Sequence, residues 1–320
     1  MGRSHSRFVA AAIIGLALLT GCVTSPGKTS STPASALPSQ SSASATATSA
    51  SAETITVPLG ERPFQLYVPA GVSTDTSTAL VVALHGYTAD AASALSYFGL
   101  EAVADQHRFL LAAPEGTHNS EGDAFWNAAS ACCDFEGSGV DDSAYLVTVI
   151  DAVAAAYTID PGRVYVVGHS NGGFMALRIA CDHADRVAAV ASLAGAMDAD
   201  ADCEPSQPVS VLQIHGDADS TVLFEGSTIE GNRHTSAEQT VRTWRELNAC
   251  PAEAAHADKR WDADADISGA DLSTTSWIGC EDATEVALWR IDGGRHVPSL
   301  TAEFSDALFQ WLESHHRAER

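Results

Sequence analysis

Lysine is almost missing from this chain: only Lys28 and Lys259 occur in 320 residues, and the 17 Lys and Arg face 41 Asp and Glu, a formal net charge of −24 at pH 7. Such a field repels polyanions, so nucleic acid is excluded as a partner and neutral or cationic substrates are favoured. The acidity itself is read as a solubility device of an exported protein. Long apolar runs are also scarce. The stretch Phe8 to Leu19 is too short to cross a bilayer as a permanent helix. No C-x-x-C pair and no His at finger spacing occur, which argues against a zinc site. The alternating carboxylates Asp262, Asp264 and Asp266 fail as a calcium loop, because the sixth and twelfth positions hold Ile267 and Ser273 in place of Gly and Glu. No metal is therefore expected. Aromatic residues are absent from 23–53, a segment dominated by Ser, Ala, Thr and Pro. That composition cannot bury apolar area and stays a solvated tether.

The N-terminus gives an address. Arg3 and Arg7 precede Phe8 to Leu19, and Leu19-Thr20-Gly21-Cys22 follows, an arrangement that resembles a bacterial lipobox. Residues 1–21 are then a lipoprotein signal peptide, Cys22 a diacylated N-terminus, 22–53 a linker and 54–320 one domain. Dual acylation holds a protein to a membrane where a single chain does not, so membrane association is expected through the lipid anchor only, on the extracellular side. An ordinary secretory signal with an incidental Cys22 is the alternative. Cleavage before Cys22 removes two arginines and no acid, leaving the mature chain more acidic still.

Six further cysteines, an even number in an exported domain, favour disulfides, with fifteen connectivities open in principle. Cys181 and Cys203 lie at the end of one helical segment and before the next strand, while Cys250 and Cys280 bracket an insertion. Pairing 181 with 203 and 250 with 280 is favoured, which leaves Cys132 and Cys133 facing a vicinal bond.

With 45% hydrophobic residues and six tryptophans the chain can bury a full core. From residue 54, strand-length apolar segments alternate with helical ones, the pattern of an α/β fold with a mostly parallel sheet covered on both faces. Strands are expected at 55–57, 64–68, 79–84, 109–113, 163–168, 187–193, 209–214 and 285–291. Helices are expected near 91–106, 143–156, 171–181, 237–248 and 301–315, with Asp141 and Asp142 capping the second. The segment 251–284 interrupts the rhythm and reads as an acidic hairpin tip tied down by Cys250 and Cys280.

Val164 to Val167 run into Gly168-His169-Ser170-Asn171-Gly172, a G-x-S-x-G sequence between an apolar strand and a helix, the form of a nucleophile elbow. A serine hydroxyl needs an imidazole to take its proton and an acid to orient that imidazole. In this kind of sheet acid and base follow the serine from loops after later strands. Strand 209–214 leads into Asp217 and Asp219, and strand 285–291 into Gly293-Gly294-Arg295-His296. His296 is the candidate base among twelve histidines. Asp219 is preferred as the acid over Asp217, with both open. His85, His169 and His215 sit beside motif residues and read as satisfied, half-buried histidines. The N–H of Asn171, after the nucleophile, and that of Tyr87, in the loop after the third domain strand, are candidate oxyanion donors. Phe125 and Trp126 are expected to wall the substrate cleft, with a core position for Trp126 almost as good a reading.

Leu84-His85-Gly86, Phe125-Trp126-Asn127 before Cys132-Cys133, Val140-Asp141-Asp142, Gly168 to Gly173, Ile214-His215-Gly216 with Asp219, and Gly293 to His296 together resemble secreted α/β-hydrolases of the polyhydroxybutyrate depolymerase-like and feruloyl esterase-like kind, over about residues 55–312. Tyr87, where the family carries a small residue or Cys, and Val297-Pro298-Ser299, where it carries Trp-Pro-Gly, depart from the pattern on the acyl-pocket side. The resemblance implies an α/β-hydrolase fold and hydrolysis of a carboxylic ester through an acyl-enzyme on Ser170, with no cofactor and a monomeric protein. Polyester depolymerases of this type usually add a substrate-binding domain, and the chain ends soon after its last helix. Feruloyl or acetyl esters of polysaccharides are thus expected ahead of polyhydroxyalkanoate oligomers. A cell-envelope acyltransferase on the same triad and a non-catalytic surface binding protein are the other readings.

Overall fold

The computed structural model describes residues 51–200 and 202–317; residues 1–21, Cys22 and most of the linker lie outside the described residues. Strands β1 (Glu53–Val57), β2 (Phe64–Val68) and β3 (Thr78–Leu84) are followed by helices α1 (Ala91–Tyr97) and α2 (Leu100–His107), strand β4 (Leu110–Pro114) and a short ribbon of β5 (Thr117–His118) with β6 (Ala124–Phe125). Next come α3 (Asp142–Ala156), β7 (Ile159–His169), α4 (Asn171–Asp182), β8 (Ala189–Leu193) and β9 (Ser210–Gly216). A second ribbon, β10 (Ser227–Ile229) with β11 (Asn232–His234), precedes α5 (Ala237–Leu247), β12 (Ala255–Trp261), β13 (Leu272–Trp277), β14 (Val286–Ile291) and α6 (Ala302–Glu313).

One sheet of ten strands runs in the order β1-β2-β4-β3-β7-β8-β9-β14-β13-β12. Its six central strands, β4 to β14, are parallel, and an antiparallel pair closes each edge. Every residue of β3 is buried, as a strand covered on both faces requires. Alternate residues divide between two cores because successive side chains point to opposite faces. Leu80, Val82 and Val166 pack with Leu146 and Val149 of α3, Phe174 of α4 and Trp244 of α5. Val81, Ala83 and Val167 pack with Leu95 of α1, Val103 of α2 and Phe304 and Leu308 of α6.

The helix expected over 91–106 is two helices. Gly99, with φ 62°, breaks it in the left-handed region that glycine enters at little cost, and a Cβ there would meet the Ser305 hydroxyl of α6 at 2.8 Å. Only Asp141 caps α3, accepting from the Ala144 N–H at 2.9 Å. Asp142 instead turns inward and is buried, accepting from Arg62 Nη1 at 2.6 Å and the Asn127 N–H at 2.7 Å. The insertion 251–284 does form the expected hairpin: β12 and β13 extend the sheet, and Cys250 is bonded to Cys280. Cys181–Cys203 and the vicinal Cys132–Cys133 are the other disulfides among the described residues.

Candidate active site

Ser170 sits at the C-terminal end of β7 with φ 54° and ψ −121°, a left-handed conformation that costs a non-glycine residue of order 1–3 kcal/mol. The flanking glycines make it feasible. A Cβ on Gly168 would collide with the backbone of Gly172, and one on Gly172 with the carbonyl of Leu84. The Ser170 N–H donates to Leu193 O of β8 at 2.8 Å, and its carbonyl accepts from the Phe174 N–H at 3.0 Å. The serine is thus held between two parallel strands and the first turn of α4.

The structure brings His296 and Asp219 to this serine. His296 Nδ1 lies 2.8 Å from Asp219 Oδ2, and its Nε2 lies 2.9 Å from Ser170 Oγ. A carboxylate only accepts, so Nδ1 carries the proton and Nε2 presents its lone pair to the serine hydroxyl. Asp219 is buried. Burial pushes its pKa up, but the neighbouring His215 and His296 rings and the Thr221 N–H outweigh that and hold the carboxyl well below the usual range. Its other oxygen accepts from the N–H groups of Thr221 at 2.8 Å and Val222 at 3.0 Å. Asp217 is engaged elsewhere, accepting from Arg290 Nε at 3.1 Å and from the Gly293 N–H at 2.6 Å.

The other strand-end histidines brace this arrangement. His169 Nε2 donates to the carbonyl of His296 at 2.8 Å, and burial lowers its pKa to about 4, so the ring stays neutral. His85 accepts the Gly116 N–H on Nε2 at 2.9 Å and therefore donates from Nδ1 to Gly86 O at 2.7 Å. His215 donates from Nε2 to Val222 O at 2.8 Å. All three are satisfied structural histidines.

Asn171 opens α4, so its N–H belongs to the donors without an intrahelical acceptor. Its side chain accepts from the Trp126 N–H at 2.7 Å and donates to Trp126 O at 2.9 Å, locking the elbow to the 125–128 loop. Gly86 brings the backbone before Tyr87 against the nucleophile, since a Cβ on it would stand 3.4 Å from Ser170 Cβ. Trp126 does not face the cleft. It is fully buried, its indole N–H donating to His85 O at 3.0 Å. Phe125 is buried as well. The expectation of a Trp126 cleft wall is corrected on this point: the indole is a core residue that steadies the loop carrying Tyr87.

The cleft wall comes from α1. A cavity of about 290 Å³ opens beside Ser170 and His296, lined by Ala89, Ser93, Ala94, Tyr97, Phe98 and Val297. The Tyr97 hydroxyl donates to Pro298 O at 3.3 Å, tying α1 to the loop that bears the base. The acidic turn after β12 braces the same loop. Buried Asp264 accepts from the Ser299 N–H at 3.0 Å, Asp266 from Ser299 Oγ at 3.0 Å and from Arg295 Nη2 at 3.1 Å, and buried Asp271 closes the turn by accepting from the Ala263 N–H at 2.6 Å. The alternating aspartates carry that signal in the sequence, as carboxylates that accept backbone N–H groups. The partners of Asp264 and Asp266, 29 to 35 positions further along, are what only the fold supplies. The small residues of α1 carried no comparable signal.

A model of the prolyl oligopeptidase family matches residues 136–206, which span α3, β7, the elbow, α4 and β8. Feruloyl esterase B of Piromyces equi is 24% identical over 238 residues, 72% of this chain and 41% of that protein. Poly(3-hydroxyalkanoate) depolymerase C of Paucimonas lemoignei is 33% identical over 129 residues, 40% of this chain and 30% of that protein. The chain thus spans less than half the length of either relative. Among solved structures, an acetyl xylan esterase from Aspergillus awamori superposes with a TM-score of 0.56 at 15% identity, covering 82% of this chain and 99% of that one. The chain therefore has the α/β-hydrolase fold and, as its motifs imply, is similar in sequence to feruloyl esterases and polyhydroxyalkanoate depolymerases.

Proposed function

We propose that this protein is a serine-dependent carboxylic ester hydrolase. The carrying observation is the hydrogen-bonded chain Ser170–His296–Asp219, with its tautomer set by a buried carboxylate and its serine on a strained elbow. Ser170 Oγ attacks the ester carbonyl as its proton passes to His296 Nε2. The N–H groups of Asn171 and Tyr87 stabilise the oxyanion, and His296 returns the proton to the departing alcohol. A water deprotonated by His296 then releases the acid from the acyl-enzyme. Removing one oxyanion donor typically costs about 10²- to 10³-fold in rate.

The substrates we propose are feruloyl or acetyl esters of polysaccharides. The names of the relatives and an acyl cavity lined by apolar and small side chains support this reading. We place the protein outside the cytoplasmic membrane, held by a lipid on Cys22, on the strength of its three disulfides and the lipobox-like N-terminus. Turnover of methyl ferulate, acetylated xylan and hydroxybutyrate oligomers, together with labelling by a fluorophosphonate, tests the reading. The wild-type protein is expected to label on Ser170 and to cleave at least one of the first two. Ser170→Ala is expected to lose labelling and turnover while keeping its fold, and retained turnover in that variant overturns the scheme.

A further inference from the structure

Phe135 is 46% exposed, on a segment that is firmly anchored. Asp134 beside it accepts from the N–H groups of Ser138 at 2.9 Å and Gly139 at 2.8 Å. Glu136 on its other side accepts from the Ser120 N–H at 3.0 Å. Just upstream, Cys132 and Cys133 are buried and bonded to each other. The Phe135 ring meets Tyr87 edge to face, centroids 5.5 Å apart at 80°. Tyr87 lines the cavity at Ser170, and its hydroxyl accepts from Asn119 Nδ2 at 3.2 Å. Two aromatic rings are therefore fixed in a row leading outward from the candidate nucleophile. Burial, then the negative charges of Asp123, Glu121 and Glu136, push the Tyr87 phenol pKa up; Glu136 adjoins Phe135 in the chain, and Glu121 and Asp123 follow Asn119, whose side chain meets the Tyr87 hydroxyl.

An ester has two halves, and the two sides of this cleft differ in chemistry. The apolar cavity under α1 suits an acyl group. Of the aromatic pair, Tyr87 belongs to the cavity lining, and Phe135, packed against it, is open to solvent and outside that lining. We infer that Tyr87 and Phe135 form a leaving-group subsite that seats a neutral sugar ring, the alcohol half of the ester, beside Ser170. A pyranose offers an apolar C–H face to an aromatic ring and hydroxyl donors to neighbouring carboxylates. Glu121, Asp123 and Glu136 supply those acceptors and repel an anionic alcohol. This subsite rests on the esterase reading above and assigns the sugar half of the ester to named residues.

The test compares esters of one acid, so that acylation chemistry cancels. kcat/KM is measured on an acetylated xylo-oligosaccharide, ethyl acetate and octyl acetate for the wild-type protein, Phe135→Ala and Phe135→Tyr. In Phe135→Ala the ratio of sugar ester to ethyl acetate is expected to fall about tenfold, mainly through a higher KM on the sugar ester, the scale of one aromatic contact. Phe135→Tyr is expected to restore it. An unchanged ratio in Phe135→Ala overturns the subsite and leaves the esterase reading standing. An equal loss on octyl acetate overturns it too, because the surface is then a general apolar one. A wild-type protein that cleaves none of the three esters and takes no fluorophosphonate label overturns the esterase reading and the subsite with it.

Discussion

Asp217 and Asp219 stand two positions apart in one loop, and both carboxyls are held below their ordinary range, yet they do different things. Asp219 is buried against the imidazole, whereas Asp217 binds Arg290 and the Gly293 N–H. Charge and spacing leave the two equivalent in the sequence; the direction of each side chain separates them. Asp219→Asn is expected to lower kcat by about 10³- to 10⁴-fold, because an amide no longer selects the Nδ1–H tautomer. Asp217→Asn is expected to cost less than tenfold, and steady-state kinetics on a p-nitrophenyl ester distinguish the two outcomes. Asp219 is held well below the usual carboxylate range and stays ionised into acid pH, so a pH–rate profile on a p-nitrophenyl ester is expected to show no loss of activity from protonation of this carboxylate.

His169 governs stability at the same scale. Burial lowers its pKa from 6.5 to about 4, so between those values the unfolded chain binds a proton that the native state does not. The contribution of His169 to stability therefore falls as pH drops from 6.5 to about 4 and is constant below that. His169→Gln can keep a donor toward His296 O, and it is expected to make this slope shallower in urea midpoints measured across that window. His85 and His234, whose pKa values burial also lowers, contribute to the remaining slope, and toward pH 4 so do carboxylates held below their usual range, Asp219 and Glu285 among them.

At the scale of elements, the sheet and its order of motifs were legible because short continuous apolar runs rich in β-branched residues encode buried strands locally. The break at Gly99 was not legible, since a glycine fits a helical or a left-handed φ, and the Ser305 hydroxyl that a Cβ there would meet lies more than two hundred residues away in the chain. The same holds for Trp126, whose amphipathic ring suits a cleft wall and a core equally until Asn171 and His85 fix its surroundings. Helix α1 lines the cavity proposed for the acyl group with Ser93 and Ala94, and Ala94 is itself buried against the sheet. Ala94→Trp is expected to fill the cavity, lowering turnover of feruloyl esters about tenfold or more relative to acetyl esters. Paired measurements on methyl ferulate and p-nitrophenyl acetate check this, and an unchanged ratio places the acyl group elsewhere.

At the scale of the whole molecule, the chain joins a strongly acidic composition to a sheet fastened by disulfides at Cys181–Cys203 and Cys250–Cys280. Lipid anchoring through Cys22 is a proposal from the sequence, in a segment outside the described residues. Cys22→Ser is expected to shift the protein from the membrane fraction to the medium in a bacterial host, and retention on membranes counts against a lipid on that residue.

The amino-acid sequence by itself determined the elbow, the order of the candidate nucleophile, acid and base along the chain, and the alternation that gives a parallel sheet. Each depends on local sterics or on periodicity, which neighbouring residues carry. Only the tertiary structure decided which aspartate meets His296, which aromatic residues face the cleft, and what the acidic turn after β12 holds. Those outcomes depend on side-chain direction and on contacts between segments distant in the chain, and packing alone sets them.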